Sequence, residues 1–282
     1  MAKKHYRLNM GLNPDVCSLK MHGLGSQLWA AASMMQIARL RGDEVHPSIP
    51  LPGGGDLWQE IFDTPPPPPG APLCPCDELK WDALDGDAHS PAAPDLIHFK
   101  ESFRVRLDHL WRNLGDCCVG LSMRDTDKLD GGECPIPPYL IARAMKGVHE
   151  PFLVFSDSTI YLDRLLPHFP DSQISIRPRM QATSIFPLHR SRGASPILTG
   201  DRLNQHTLEI FEDIYLMTKM KTIYYPVWHG VLMAASLLSR ELKVISCRER
   251  LLSVHEIEMV NFYRERECAL WRRLDDRIEG AR

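Results

Sequence analysis

Apolar residues along this chain switch between two periods. Ala30, Ala31, Met34, Ile37 and Ala38 recur at helical spacing and predict a helix from about Ser26 to Arg41, stopped by Gly42. A strand over Val16–Met21 precedes it, joined by a turn at Gly23–Gly25. Between Val45 and Pro94 the pattern dissolves into loops marked by three glycines at 53–55, five prolines at 65–69 and Asp85-Gly-Asp87. Pro65–Pro69 should be extended and stiff. Loops this long serve either as lids over a site or as inert insertions.

From Asp95 onward the rhythm is regular. Short apolar runs predict strands at Leu96–Phe99, Cys117–Met123, Phe152–Phe155, Ile174–Ile176, Thr222–Tyr225 and Leu242–Ser246. Helical patterns lie between them at Glu101–Leu114, Pro138–Lys146, Ile160–Leu166, Leu203–Met220 and Trp228–Arg240, and a charged amphipathic helix covers Ser253–Glu279. Strands alternating with helices mean an α/β protein with a parallel sheet covered on both faces. A break near residue 115 divides a loop-rich half (1–115) from a regular half (116–250), followed by the tail helix (251–282).

Composition narrows the function. The net charge of −3 lacks the basic excess of a nucleic-acid binder. No apolar run approaches the ~20 residues of a membrane span, and residues 1–7 lack a signal-peptide core, so the expected place is the cytosol. The eight cysteines show no paired metal spacing. Cys117 and Cys118 should point to opposite faces of a buried strand as small hydrophobes, although a metal role for cysteines elsewhere stays open.

Candidate chemistry gathers at strand ends. Gly23-Leu-Gly25 opens a helix, where backbone N–H groups favour an anion, though a plain tight turn fits equally. The third glycine of a dinucleotide fingerprint is missing, which counts against a nicotinamide cofactor. Val119–Lys128 ends in Arg124, Asp125, Asp127 and Lys128. A guanidinium at a strand's carboxyl end can clamp two phosphate oxygens, or simply pair with Asp125 or Asp127. Asp125, Asp127 and Asp130 also resemble a carboxylate metal cluster, but no separated acidic partner supports one.

Glu133 is either a general base toward a hydroxyl or a solvated loop residue. Asp157, at the end of Phe152–Asp157, either contacts a ligand or caps the next helix. Asp213 either faces a nucleotide base or ribose or lies on a solvated helix surface. His229-Gly230 begins a helix whose N–H groups can hold a second phosphate oxygen, though a structural histidine fits such a turn as well.

Taken in order, these segments resemble the GDP-fucose-dependent fucosyltransferases with GT-B-like folds, particularly the α1,6 group, over residues 15–42 and 115–240. Gly23-Leu-Gly-Ser-Gln27 is similar to that family's G-x-G-x-Q turn. Arg124-Asp-Thr-Asp-Lys128 is similar to its H-x-R-R-x-D-K motif, Phe155-Ser-Asp-Ser158 to its S/T-D-D, and Glu212–Met217 to its base-binding helix. The resemblance implies two Rossmann-like halves with a carboxyl-terminal helix packed across them. It implies a soluble, inverting, metal-independent transferase with no cofactor beyond a GDP- or UDP-linked sugar, and a glycan acceptor.

It assigns catalysis to Arg124, Glu133 and Asp127, and donor binding to Gly23, Gly25, Ser26, Gln27, Ser122, Asp157, Asp213, His229 and Gly230. Three departures stand out: Ser122 replaces the family's histidine, Asp125 its second arginine, and Val227-Trp-His-Gly230 its Ser-rich stretch. An anion beside the diphosphate should weaken its binding, which makes a UDP-pentose an alternative donor. A non-catalytic nucleotide- or glycan-binding protein is the other alternative.

Overall fold

Residues 3–11, 24–51, 54–75, 93–115, 117–123, 136–179, 198 and 200–250 are described by a computed structural model. In chain order the elements begin with β1 (His5–Asn9), α1 (Leu24–Leu40), β2 (Glu44–Ser48) and α2 (Leu57–Ile61). Next come α3 (Ala93–Leu96), α4 (Glu101–Asn113), β3 (Val119–Met123), α5 (Pro138–Ala144) and β4 (Phe152–Ser156). The remainder are α6 (Thr159–Leu165), β5 (Ile174–Ile176), α7 (Gly200–Thr218), β6 (Thr222–Tyr225), α8 (Gly230–Leu238), β7 (Lys243–Ser246) and α9 (Cys247–Arg250).

Contacts group the chain into two units, each built from separated segments. The first comprises Met1–Arg112, Gly200–Thr218 and His229–Glu241; the second comprises Asn113–Thr199, Lys219–Trp228 and Leu242–Arg282. Helices α7 and α8, although late in the sequence, therefore belong with the first unit.

In the first unit β1 and β2 pair in parallel, His5 opposite Glu44 and Asn9 opposite Ser48, with α1 as the crossover. α1 ends where Gly42 takes φ +79° and its N–H donates to the carbonyl of Arg39, as the glycine predicts. α2 is only five residues long and is held by Asp56, whose carboxylate accepts from the N–H of Trp58. An aromatic core joins these pieces: Phe62 packs on Trp58, Phe99 and Phe211, and Tyr215 meets Phe99 and Phe103 edge-on. Two polar ties link α4 to α7, Tyr215 Oη donating to Asp108 at 2.7 Å and Arg106 pairing with Glu212 at 2.5 Å.

The second unit is a five-stranded parallel sheet of order β5-β4-β3-β6-β7. The chain starts at the central β3, adds strands to one side, then returns to the other, so the switch point lies between β3 and β6. Val119, Leu121 and Met123 point into a core with Val154, Phe152, Tyr161 and Leu162. On the opposite face Gly120 leaves room for its neighbours: a Cβ there would stand 3.1 Å from Ile223 Cγ1 and 3.4 Å from Phe155 Cε2.

Several expectations need correction. The Leu96–Phe99 strand is absent: a helical turn ends at Leu96, and Phe99 makes one isolated bridge to Phe62. The stretch after Val45 is not all loop, since it contains β2 and α2; Pro47 in β2 and the shortness of α2 hide both from periodicity. Cys117 and Cys118 precede β3 rather than lie in it. Cys117 is buried, its thiol donating to the carbonyl of Leu114, whereas Cys118 is exposed. The Val16–Met21 strand and the Ser253–Glu279 helix lie outside the described residues.

Candidate functional site

In the first unit two helix starts come together backbone to backbone. A Cβ built on Gly25, in the first turn of α1, would fall 1.9 Å from the carbonyl oxygen of Gly230, the first residue of α8. From the other side, a Cβ on Gly230 would stand 3.2 Å from both the N and Oγ of Ser26. Gly25 is thus required, and Gly230 leaves little room to spare, where the two helix amino termini meet backbone to backbone. Each terminus carries N–H groups without intrahelical partners and a partial positive charge. The structure brings together Gly25, Ser26 and Gly230, three donor-binding candidates drawn from sequence segments some 200 residues apart.

Gln27 has a different employment. Its Oε1 accepts from the N–H of Gly11 at 2.8 Å and its Nε2 donates to the Gly11 carbonyl at 3.0 Å. This two-point clamp holds the turn after β1, where Gly11 adopts φ +129°, against α1. His229 caps α8: its Nδ1 accepts from the N–H of Leu232 at 3.4 Å, and the residue is buried. Asp213 is buried in α7 rather than solvated on a helix surface.

In the second unit the candidates stand at the carboxyl ends of β3 and β4. Ser122 is buried and pairs in register with Phe155. Asp157 is buried immediately beyond β4. The cap of α6 is Ser158, whose Oγ accepts from Tyr161 N, so Asp157 is not needed for that task. Arg124, Asp127, Glu133 and Gly23 lie outside the described residues, as do Asp125 and Asp130. β3 ends at Met123, one residue before Arg124, beside the switch point where open parallel sheets bind ligands.

Three further features carry no signal in the candidate motifs. Arg177 directly follows β5 and is buried, so the strand-end rule that selects Arg124 would also have selected it. Buried Cys247 begins α9 beside Arg250; burial, only partly offset by that guanidinium, pushes its thiol up from 9.0 to about 12. A third grouping, His5, Glu44 and His46, is assembled by strand register from residues about forty apart and shows no contiguous motif.

Neither a protein-family model nor a curated protein matches the sequence. Solved structures do match, in fold. The NodZ α1,6-fucosyltransferase soaked with GDP-fucose superposes with a TM-score of 0.52 at 12% identity, over 84% of this chain and 93% of that one. Fucosyltransferase NodZ from Bradyrhizobium gives 0.53 at 13%, covering 85% and 94%. POFUT1 in complex with GDP-fucose gives 0.53 at 8%, covering 86% and 98%. At such identities the likeness is one of fold: the chain has the GT-B-like α/β architecture that the order of its motifs predicts.

Proposed function

We propose that this chain is a glycosyltransferase that moves a sugar from a nucleotide donor to a hydroxyl of a glycan, with inversion and without a catalytic metal. The observation that carries the reading is the meeting of the α1 and α8 amino termini at Gly25 and Gly230. Two helix amino termini brought to one place, with their partial positive charges, favour an anion there. A diphosphate leaving group is the anion this chemistry needs, because its charge grows as the glycosidic bond breaks.

Arg124, which follows the central strand, neutralises that charge. Glu133 takes the proton of the acceptor hydroxyl, and Asp127 belongs to the same catalytic stretch. Ser122 and Asp157, at adjacent strand ends, contact the donor, as does buried Asp213 toward the base or ribose. GDP-fucose is the first donor to test, since NodZ soaked with GDP-fucose and POFUT1 in complex with it share the fold. Ser122 and Asp125, where the resembled motif has histidine and arginine, favour testing a UDP-pentose beside it, and keep a non-catalytic binding protein as the second reading.

Melting of the full chain against GDP, UDP, ADP, CMP and NAD, each at millimolar concentration, tests the proposal. A ligand at 100 times its dissociation constant adds about 2.7 kcal/mol, a shift of several degrees. Selective stabilisation by GDP or UDP, followed by release of that nucleotide from its sugar conjugate when acceptor is added, is the expected result. Binding without turnover would move the protein to the non-catalytic reading. A shift with NAD alone, or with nothing, would overturn the transferase.

A further inference from the structure

The start of the β1–β2 pair gathers three metal-binding groups on one face. Strand register sets His5 opposite Glu44, and His46, two residues beyond, falls on the same side of β2. His5 Nδ1 lies 3.1 Å from His46 Nε2 and 3.2 Å from Glu44 Oε2, and His46 Nε2 lies 3.6 Å from that same oxygen. Ligands held ~2.0–2.1 Å from zinc in a tetrahedron stand about 3.3–3.4 Å from one another. The three atoms thus already outline one face of such a polyhedron.

The protonation pattern agrees. His46 Nδ1 faces the carbonyl of Pro65 at 3.2 Å, and a carbonyl only accepts, so the ring proton sits on Nδ1. In that tautomer His46 directs its Nε2 lone pair toward the other two groups, the arrangement that an outer hydrogen bond selects in metal-binding histidines. Lys3 pairs with the other carboxylate oxygen of Glu44, leaving Oε2 for coordination. Glu44 and His46 also line a cavity of about 440 Å³, with Lys3, Arg39, Thr64 and Leu96 among its other walls. A water or small anion can fill a fourth position from that side.

We propose that His5, Glu44 and His46 form a divalent transition-metal site, of a kind suited to zinc, that fastens β1 to β2. Two imidazoles and one carboxylate suit zinc better than magnesium or calcium, which prefer all-oxygen shells. The site lies at the amino-terminal end of the strand pair, whereas Gly11 and Gln27 lie at its carboxyl end.

The test uses the full chain, stripped with a chelator and titrated with zinc chloride. Bound metal is counted after dialysis, and cobalt(II) absorption reports geometry. The expected result is one equivalent per chain, a tetrahedral cobalt spectrum and a melting temperature raised by several degrees. His5→Ala and Glu44→Gln should each weaken uptake by more than the roughly 10–100-fold that loss of an outer-sphere partner costs, without changing nucleotide binding. Both residues are partly exposed, so these variants keep the fold. Absence of stoichiometric uptake would overturn the site, as would uptake that both variants leave intact.

Discussion

Gly25 and Gly230 touch backbone to backbone, with no volume left for even a methyl group on the Gly25 side. Gly25→Ala drives a Cβ into a main-chain carbonyl, which no rotamer change can relieve, so α1 or α8 must shift. A destabilisation of about 3 kcal/mol or more is expected. Gly230→Ala meets Ser26 at 3.2 Å, a contact that a few tenths of an ångström relieves, and should cost about 1 kcal/mol. Urea unfolding of the two variants against the parent checks the asymmetry.

Gln27 belongs to the resembled glycine-rich motif, yet its amide is committed to Gly11. Gln27→Leu keeps the bulk and strands one buried donor and one buried acceptor. The expected loss is about 2–4 kcal/mol. Thermal melting should show it without any nucleotide present. An unchanged melting temperature would mean that the clamp contributes nothing.

Cys247 gives a pH dependence with a definite sign. Its thiol sits at about 12 when folded, against an ordinary 9.0, because burial disfavours the thiolate. Below pH 9 both states keep the proton and stability is unaffected. Between pH 9 and 12 the unfolded chain loses a proton that the folded chain retains, so stability falls, at up to ~1.4 kcal/mol per pH unit. Cys247→Ala should flatten that alkaline decline in a series of denaturant curves. In the same protein at neutral pH, iodoacetamide should label exposed Cys118 and spare Cys247 until the chain is unfolded.

Arg124→Ala tests the proposed chemistry. Removing a cation that acts on the leaving group should lower turnover by at least ~100-fold while the melting temperature stays nearly constant. Unaffected turnover would dismiss Arg124 from catalysis, and a collapsed melting curve would make it structural.

How much of this was readable beforehand depends on where each signal resides. α4 and α7 were visible because their apolar residues repeat over three turns or more, and β3 and β4 because they are continuous apolar runs. β1 was not: His-Tyr-Arg-Leu-Asn carries one aliphatic residue and forms a strand because β2 pairs with it. Gly25 and Gly230 were each marked as helix starts, but that they touch is a tertiary fact no local window contains. The same holds for Gln27, chosen as a ligand residue from its motif and engaged instead by a turn sixteen residues earlier. His5, Glu44 and His46 depend wholly on register, which a single strand's sequence does not reveal. The sequence leaves Asp157 between ligand and cap, and the Ser158 cap removes one of those roles.

The interleaving of the two units also sets the order in which the protein can be completed on the ribosome. The first unit takes α7 and α8 from residues 200–218 and 229–241, and the chain passes from one unit to the other five times. β3, β4 and β5 are synthesised in full before the first unit has all its helices. Until α8 emerges, Gly25 has no Gly230 to meet, and a nascent chain halted at residue 112 lacks two of the helices its own contacts require. α1, made before β3, is therefore among the last of the described elements to acquire its final packing.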